Sequence, residues 1–346
     1  MLDAMARQGF EQVLALHDRE SGLRAFLGIH DTARGPAFGG IRRWAYRDER
    51  QALLDCLRLS RSMSRKCALA GLSAGGAKLV VLDRPELDRA AAYRHVGRIV
   101  ERLGGRFYTG PDLGTGAQEL GAVAAETRYV THPGPEGPGE LAESTAEGVF
   151  QGIGVALRHL DGSVDWPRRR VCVQGLGAVG LRLAARLVGA GAHVLASDVE
   201  LERIEAARRE LPLEIVRAST ELGVECDVFA PCALGGILHD LTVGRLRCGV
   251  VAGAANDVLA RPLAGDRLHE RGILYVPDVV LSSGALIRGA HFHLDGRREP
   301  VAEIGARVAG AVERILERAA SERRPPARVA LREADEILAE SRRARS

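Results

Sequence analysis

The stretch from residue 170 to 191 combines a short apolar run, a glycine-rich turn and a helical pattern. It reads RVCVQ, then Gly-Leu-Gly-Ala-Val-Gly, then LRLAARLVGAG. In a strand, turn and helix unit, the first glycine permits the tight turn, the second lets the backbone approach a pyrophosphate, and the third lets the helix pack closely on the strand. The stretch therefore predicts a dinucleotide site at a helix N-terminus. We expect it to comprise Gly175, Leu176, Gly177, Ala178, Val179 and Gly180.

A carboxylate at the end of the next apolar run supports this interpretation. Asp198 lies 18 residues beyond Gly180. At that place an aspartate accepts hydrogen bonds from the adenosine ribose hydroxyls and repels a 2′-phosphate, so NAD is favoured over NADP. The alternative is a glycine-rich turn followed by a helix-capping aspartate.

The part of the chain around this motif alternates between buried-strand and helical patterns. Such alternation predicts a parallel, doubly wound sheet. A long amphipathic helix is expected at 300–318, broken by Pro325 and Pro326, with a last helix near 327–343. The expected strands are 170–174, 192–197, 226–230, 249–252 and 273–276.

A segment rich in proline and glycine, 132–144, separates this part from the beginning of the chain and predicts a hinge or interdomain connection. Before it, strands are expected at 24–29 and 78–82, and helices at 50–63 and 88–103. The fold class is therefore α/β with two domains, an N-terminal α/β substrate domain and a doubly wound Rossmann domain. We expect the boundaries to be 1–138, 139–325 and 326–346, the last being a C-terminal helix that packs back on the first domain or between the two.

Composition excludes several classes of function. A formal net charge of +3 is too small and dispersed to indicate nucleic-acid binding. No segment is apolar enough for a membrane span or a signal peptide, so we expect a cytoplasmic protein. The six cysteines form no CxxC pair and are expected to be reduced thiols, and His291 and His293 lack a third ligand, so no metal site is predicted.

Lysine is rare in this chain. Of 48 basic residues only Lys66 and Lys78 are lysines, and the others are arginines. A surface that needs only positive charge accepts arginine, whereas an ammonium group is compact and can lose its proton when its pKa is lowered by burial or by a second cation. The pair is therefore a functional candidate, with chance survival of two surface lysines as the alternative.

The chain contains seven distinctive segments that are polar, glycine-rich or both. Those of the first half are GPAFGGIRRW, MSRKCALAGLSAGGAK and YTGPDLGT, and those of the second half are VQGLGAVG, CDVFAPCALGG, VVAGAANDVLA and GILYVPDVV. Together and in this order they resemble the leucine/valine/phenylalanine dehydrogenase branch of the glutamate dehydrogenase superfamily. The resemblance runs over nearly the whole chain. It implies two domains separated by a cleft, NAD as cofactor and a homo-oligomer.

The resemblance also implies roles for individual residues. Lys66 would bind the substrate α-carboxylate, Lys78 would be the acid/base that activates water, and Asp112 would exchange a proton with the amino group. Oxidation at Cα then gives an iminium that water attacks, and the carbinolamine releases ammonia and a 2-oxo acid. Gly39 and Gly40 would let the backbone approach the substrate. Further cofactor or substrate contacts would come from Arg42, Thr145, Ala233, Leu234 and Asn256.

The position before the paired glycines bears on the substrate. Glutamate-specific relatives carry a lysine there, whereas this chain has Phe38. An apolar ring leaves a buried side-chain carboxylate unpaired, at a cost of several kcal/mol. With Gly110, Leu286 and Gly289 as further pocket residues, we expect a bulky apolar amino acid, aromatic or branched.

Two departures from the family pattern concern the cofactor side. Ser282 stands where relatives usually have an asparagine, and Asp257 where close relatives often have one. Altered specificity or slower turnover is the resulting hypothesis. The alternatives are a catalytically silent NAD-binding paralogue with a regulatory role, and a hydroxy-acid dehydrogenase, which would need a histidine and carboxylate pair.

Overall fold

The computed structural model describes residues 2–132 and 137–345 and divides the chain into two compact units. The first unit combines the described residues of Met1–Gly139 with Gly289–Arg298 and the described part of Ala334–Ser346. The second unit is Glu140–Arg288 with Glu299–Glu333. Each has a sheet of its own.

The first unit begins with a mixed series of strands and helices. In chain order these are α1 (Leu2–Gln8), β1 (Gln12–Asp18), β2 (Leu23–Asp31), β3 (Ala37–Phe38), β4 (Ile41–Trp44), α2 (Glu49–Leu69), β5 (Gly75–Leu82), α3 (Arg89–Arg102), β6 (Phe107–Tyr108) and α4 (Ala117–Ala124).

Strand β5 organises the first sheet. Strand β2 pairs with it antiparallel, and β3 and β4 pair parallel with its first and second halves. Every residue of β5 is buried. A strand covered on both faces requires a nearly continuous apolar run, and Lys78 is the charge that interrupts it. Helix α2, capped at its start by the Asp48 side chain, packs along this strand.

The chain continues as alternating helices and strands, most of which belong to the second unit. These are α5 (Leu141–Asp161), β7 (Arg170–Gln174), α6 (Ala178–Gly189), β8 (His193–Ser197), α7 (Leu201–Glu210), β9 (Glu214–Ile215), β10 (Val228–Pro231), α8 (Asp240–Val243), β11 (Val250–Val251), α9 (Pro262–Glu270), β12 (Leu274–Tyr275), α10 (Asp278–Leu281), α11 (Gly284–Asp295), α12 (Val301–Glu322) and α13 (Pro326–Arg345).

The second sheet is parallel throughout and runs in the order β12-β11-β10-β7-β8-β9. Strand β7, which precedes the glycine turn, lies between β10 and β8, and the order reverses there. This is the doubly wound arrangement predicted from sequence, and the α/β prediction is confirmed. Strands β7 and β8 agree with the sequence prediction to within one residue.

Two structural findings differ from the sequence prediction. The predicted hinge or interdomain connection 132–144 falls partly on residues 133–136, which lie outside the described residues, and its last four residues, Leu141–Ser144, form the first turn of α5. Helix α5 itself was missed. Its interior glycines weaken the helical pattern, yet they are needed because a Cβ at Gly148 would lie 2.9 Å from Val308 of α12.

The sequence-based domain boundaries stay a prediction, since the contacts group the chain differently. Segment Gly289–Arg298, within α11 and the residues after it, belongs with the first unit. There His293 lies 4.9 Å from the Tyr108 ring and 3.1 Å from the Thr131 hydroxyl. Asp335 of α13 accepts hydrogen bonds from Arg65 of α2, and both residues belong to the first unit. Among the described helices, none is long and apolar enough to cross a membrane.

Candidate active site

The two lysines lie on neighbouring elements of the first unit. Lys78 is in β5, opposite Gly28 of β2, and Lys66 is in the last turn of α2. Only 5% of Lys78 and 6% of Lys66 is exposed. Two buried ammonium groups in a chain whose surface charge is arginine do not fit chance survival on the surface.

Asp112 joins Lys78 to Arg42. Its Oδ2 lies 3.0 Å from Lys78 Nζ and accepts a hydrogen bond from Arg42 Nε at 2.8 Å. The loop that carries Asp112 is held against β4, because Ile41 N donates to the Gly110 carbonyl and Arg43 N to the Leu113 carbonyl. One carboxylate therefore accepts from two cations on adjacent strands.

This arrangement determines the charge of Asp112. Burial alone would raise the pKa of the Asp112 carboxyl, but the positive charges of Lys78 and Arg42 and their hydrogen bonds outweigh it and hold the pKa well below its usual range. Asp112 is thus a carboxylate at neutral pH. These contacts go beyond what a turn or helix-cap carboxylate makes.

Gly39 and Gly40 give the strands and loop room to approach one another. A Cβ at Gly39 would overlap the Ala77 carbonyl oxygen beside Lys78, and a Cβ at Gly40 would overlap the Pro111 carbonyl oxygen beside Asp112. Both glycines therefore have a packing reason, in addition to the approach to substrate that the resemblance implies.

Sequence reasoning missed a second carboxylate in this cluster. Asp55 of α2 accepts from Arg42 Nη1 at 3.3 Å, from the Tyr46 hydroxyl at 2.6 Å and from Arg58 Nη2 at 2.6 Å. Burial would raise the pKa of Asp55, but the bonds from Tyr46 and Arg58 and the charges of Arg58 and Arg42 lower it below its ordinary value. The available signal was an aspartate directly before Cys56, inside an apolar helix face.

An aromatic cluster surrounds the predicted substrate position Phe38. Its ring is stacked on Tyr108 with centroids 4.9 Å apart, and the His293 ring is 6.2 Å away. Burial lowers the pKa of His293 to about 4, so its imidazole is neutral at pH 7. Within the described residues no group of three or more histidine, cysteine or acidic side chains is arranged to hold a metal.

Two predicted pocket glycines face one side chain that the sequence did not indicate. A Cβ at Gly110 would lie 3.2 Å from Thr131 Cβ, and a Cβ at Gly289 would lie 3.5 Å from Thr131 Oγ1. A side chain at either position would therefore contact Thr131. Leu286, the other predicted pocket residue, is a half-buried residue of α11 in the second unit.

The glycine turn of the second unit has the geometry expected of a dinucleotide loop. Gly175 has φ +95°, and a Cβ at Gly180 would overlap the Gly175 carbonyl oxygen. Among the described residues, nothing beyond its chain neighbours lies within 4 Å of a Cβ at Gly177. Ala178 and Val179 begin α6. The buried Asp198 accepts from Leu176 N at 2.6 Å and from Glu200 N at 2.9 Å.

The remaining predicted residues lie on loops and helix starts of the second unit. Thr145 Oγ1, in the first turns of α5, accepts from Ala285 N at 3.1 Å. Ala233 lies against the glycine turn, since a Cβ at Gly175 would be 2.8 Å from its Cβ, and the side chain of Leu234 is exposed. The exposed Asn256 accepts from the Ser282 hydroxyl at 3.0 Å.

The two departures from the family pattern have local structural explanations. The Ser282 hydroxyl contacts Asn256, so the shorter side chain still reaches an amide at this place. Asp257 adopts a left-handed conformation with φ +53°, which both aspartate and asparagine tolerate better than most residues. The exchange of asparagine for aspartate at 257 is therefore compatible with the backbone.

Comparison with known proteins gives a consistent result over both units. Residues 11–129 match the family model described as Glu/Leu/Phe/Val dehydrogenase, dimerisation domain, and residues 197–291 match the Glutamate/Leucine/Phenylalanine/Valine dehydrogenase model. The leucine dehydrogenase of Geobacillus stearothermophilus is 39% identical over 345 residues, covering 99% of this chain and 94% of that protein. The valine dehydrogenase of Streptomyces albus is 40% identical, covering 96% and 93%.

A solved structure shows the same similarity in three dimensions. The crystal structure of L-tryptophan dehydrogenase from Nostoc punctiforme matches with a TM-score of 0.83 and 34% identity, over 99% of this chain and all of that chain.

The buried cluster predicts a large stability effect at Asp112. Asp112→Asn should lower the free energy of unfolding by about 3 kcal/mol, because it removes the buried carboxylate from Lys78 and leaves Arg42 with Asp55 alone. The control Asp335→Asn, whose side chain is 46% exposed beside Arg65, should lower it by less than about 1 kcal/mol. Urea unfolding of wild type and variants measures both.

The same comparison has a pH signature. The pKa of Asp112 is depressed in the folded state, so its contribution is present above the unfolded pKa and is lost only as pH falls through the folded pKa. The difference in free energy of unfolding between wild type and Asp112→Asn should therefore be the same at pH 8 and at pH 6. A difference that shrinks over this interval would contradict the assignment of charge.

Proposed function

This chain belongs to the Glu/Leu/Phe/Val dehydrogenase family, and from that premise we propose that it oxidatively deaminates an L-amino acid with a bulky apolar side chain, and aminates the 2-oxo acid in reverse, with NAD. The observation that carries the proposal is the buried contact of Lys78 and Arg42 with one carboxylate, Asp112. The relatives described above are named as dehydrogenases, which favours turnover over a catalytically silent role.

In this proposal the two lysines have different tasks. Lys66 supplies a fixed positive charge for the substrate α-carboxylate. Lys78 takes and returns the proton of the attacking water, and Asp112, held 3.0 Å from it, exchanges a proton with the amino group. Burial of both lysines excludes bulk water and strengthens each of these electrostatic contacts.

The glycine turn fits a dinucleotide. Open space at Gly177 leaves room for a pyrophosphate beside the N-terminal amides of α6. The Asp198 carboxylate lies beside that turn and would accept from ribose hydroxyls, which supports NAD over NADP. When bound, the nicotinamide supplies the acceptor for the hydride that leaves Cα. The further cofactor contacts that we propose, as the family resemblance implies, are Arg42, Thr145, Ala233, Leu234 and Asn256.

The pocket chemistry supports an apolar substrate. Phe38 is buried against Tyr108, and the imidazole of His293 beside them is neutral at pH 7, so neither group compensates a side-chain carboxylate. Gly110 and Gly289 place no side chain against Thr131, and we propose that a branched or aromatic substrate group lies beside them. We also propose a homo-oligomer, supported by the dimerisation domain that residues 11–129 match.

A panel of L-amino acids tests the function directly. Formation of NADH should be fastest with a leucine, valine, phenylalanine or tryptophan side chain and should be at least about 100-fold slower with glutamate, because an unpaired buried carboxylate costs several kcal/mol. Absence of turnover with every amino acid, together with tight NAD binding, would contradict the proposal. Ammonia and 2-oxo acids test the reverse direction.

Exchange of each lysine for arginine separates their roles. Lys78→Arg keeps the charge but removes the titratable amine, so kcat should fall about 1000-fold with little change in NAD affinity. Lys66→Arg keeps the fixed charge that binds a carboxylate, so it should chiefly raise KM. Steady-state kinetics and NAD titration measure both, and near-normal kcat in Lys78→Arg would remove Lys78 from the acid/base role.

Asp198 determines the preference for NAD in this proposal. Asp198→Ala should raise the ratio of kcat/KM for NADP to that for NAD at least about ten-fold, since repulsion of the 2′-phosphate is removed. Asp198→Asn is the matched variant, because it also removes the charge but keeps an oxygen that accepts from Leu176 N. An unchanged ratio in both variants would exclude Asp198 as the determinant.

A further inference from the structure

Arg42 is held between two carboxylates, only one of which belongs to the proposed catalytic groups. Its Nε donates to Asp112 at 2.8 Å, while Nη1 donates to Asp55 at 3.3 Å. About 17% of the Arg42 side chain is exposed. A planar guanidinium with two anions on different edges has one favoured orientation, whereas one with a single carboxylate tends toward a bidentate pair.

Asp55 is itself fixed from two sides. The Tyr46 hydroxyl donates to Oδ2 at 2.6 Å, the atom that Arg42 also contacts, and Arg58 donates to Oδ1 through Nη2 at 2.6 Å and Nε at 3.2 Å. Burial and the Asp55 carboxylate raise the pKa of Tyr46, so its hydroxyl is a donor at neutral pH. Asp55 is thus a rigid anion with defined partners.

We propose that Asp55, oriented by Tyr46, is a positioning residue that holds Arg42 in its single contact with Asp112 and so keeps Asp112 on Lys78. Within the described residues, Asp55 shares no hydrogen bond with Asp112 or Lys78. It affects the position of Asp112 through Arg42, which contacts both carboxylates. Without it, both edges of the guanidinium are available to Asp112, and the carboxylate is drawn away from Lys78. This inference rests on the proposed deamination.

A pocket of about 400 Å³ opens on this group from outside. Arg42, Tyr46, Asp55 and Arg58 line it, together with the exposed side chains of Trp44, Leu54 and Leu113. A small carboxylate such as formate therefore has a route to the place of the Asp55 carboxylate when that group is removed. This access allows a test by chemical rescue.

The test compares two substitutions of Asp55 in the full-length protein. Asp55→Asn keeps the shape and Asp55→Ala leaves a space, and each should lower kcat for the best amino acid about ten-fold with KM within about two-fold of wild type. Formate should restore at least half of the lost kcat in Asp55→Ala. It should restore none in Asp55→Asn, where the amide fills the space.

Matched controls separate positioning from folding. Glu49→Gln removes a carboxylate from the same helix, where Glu49 pairs with Arg24 on the surface, and should leave kcat unchanged. Tyr46→Phe should lower kcat about two- to three-fold, since Asp55 keeps both arginines. Sodium chloride at equal ionic strength should not replace formate. Melting temperatures of every variant report the folded state.

Each outcome has a definite meaning. If both Asp55 variants keep wild-type kcat, or if kcat falls without rescue by formate, Asp55 acts at most through the fold and the positioning role is wrong. If the wild-type protein itself turns over no amino acid, the proposed function fails, and that result is distinct from normal turnover with an insensitive Asp55.

Discussion

The Asp112 carboxylate, shared by Lys78 and Arg42, is the interaction on which the arrangement of the first unit depends. Buried charges are tolerated only when they are paired and hydrogen-bonded. Here the partners come from β4, β5 and the loop after β6, which must therefore lie within a few ångströms of one another. Gly39 and Gly40 permit that distance because any side chain would overlap a carbonyl oxygen. Backbone packing and charge pairing thus both require β4, β5 and the loop after β6 to lie close together.

Much of the second unit could be predicted because its signals are local. The runs that became β7 and β8 are short, apolar and bounded by turn residues, and the glycines between β7 and α6 act on backbone within a few residues of themselves. Gly180 packs against Gly175, so spacing in the sequence already describes the contact. Asp198 is further along the chain but is brought to the turn by the pairing of adjacent parallel strands.

The elements and residues that were missed depend on partners distant in sequence. Helix α5 contains glycines that argue against a helix when read alone, and they are favourable because distant side chains pack closely on them, Val308 of α12 at Gly148 and Leu281 of α10 at Gly152. Strands β3 and β4 are short and exist through pairing with β5. Likewise Thr131 and His293 are 162 residues apart, and nothing in either local pattern indicates their hydrogen bond. Long-range contact, not local propensity, decides these cases.

The contacts of Asp112 suggest a physical reason why position 78 is a lysine in this arginine-rich chain. If the site needed only positive charge beside this carboxylate, Arg42 would already supply it, and a chain so rich in arginine would have no reason to keep Lys78. Instead the same oxygen contacts one guanidinium, which stays charged under all ordinary conditions, and one ammonium, which can release its proton. In the deamination that we propose, Arg42 holds the carboxylate in place while Lys78 exchanges a proton with water. Under that proposal the two cations on a single anion are complementary, and neither residue type can replace the other.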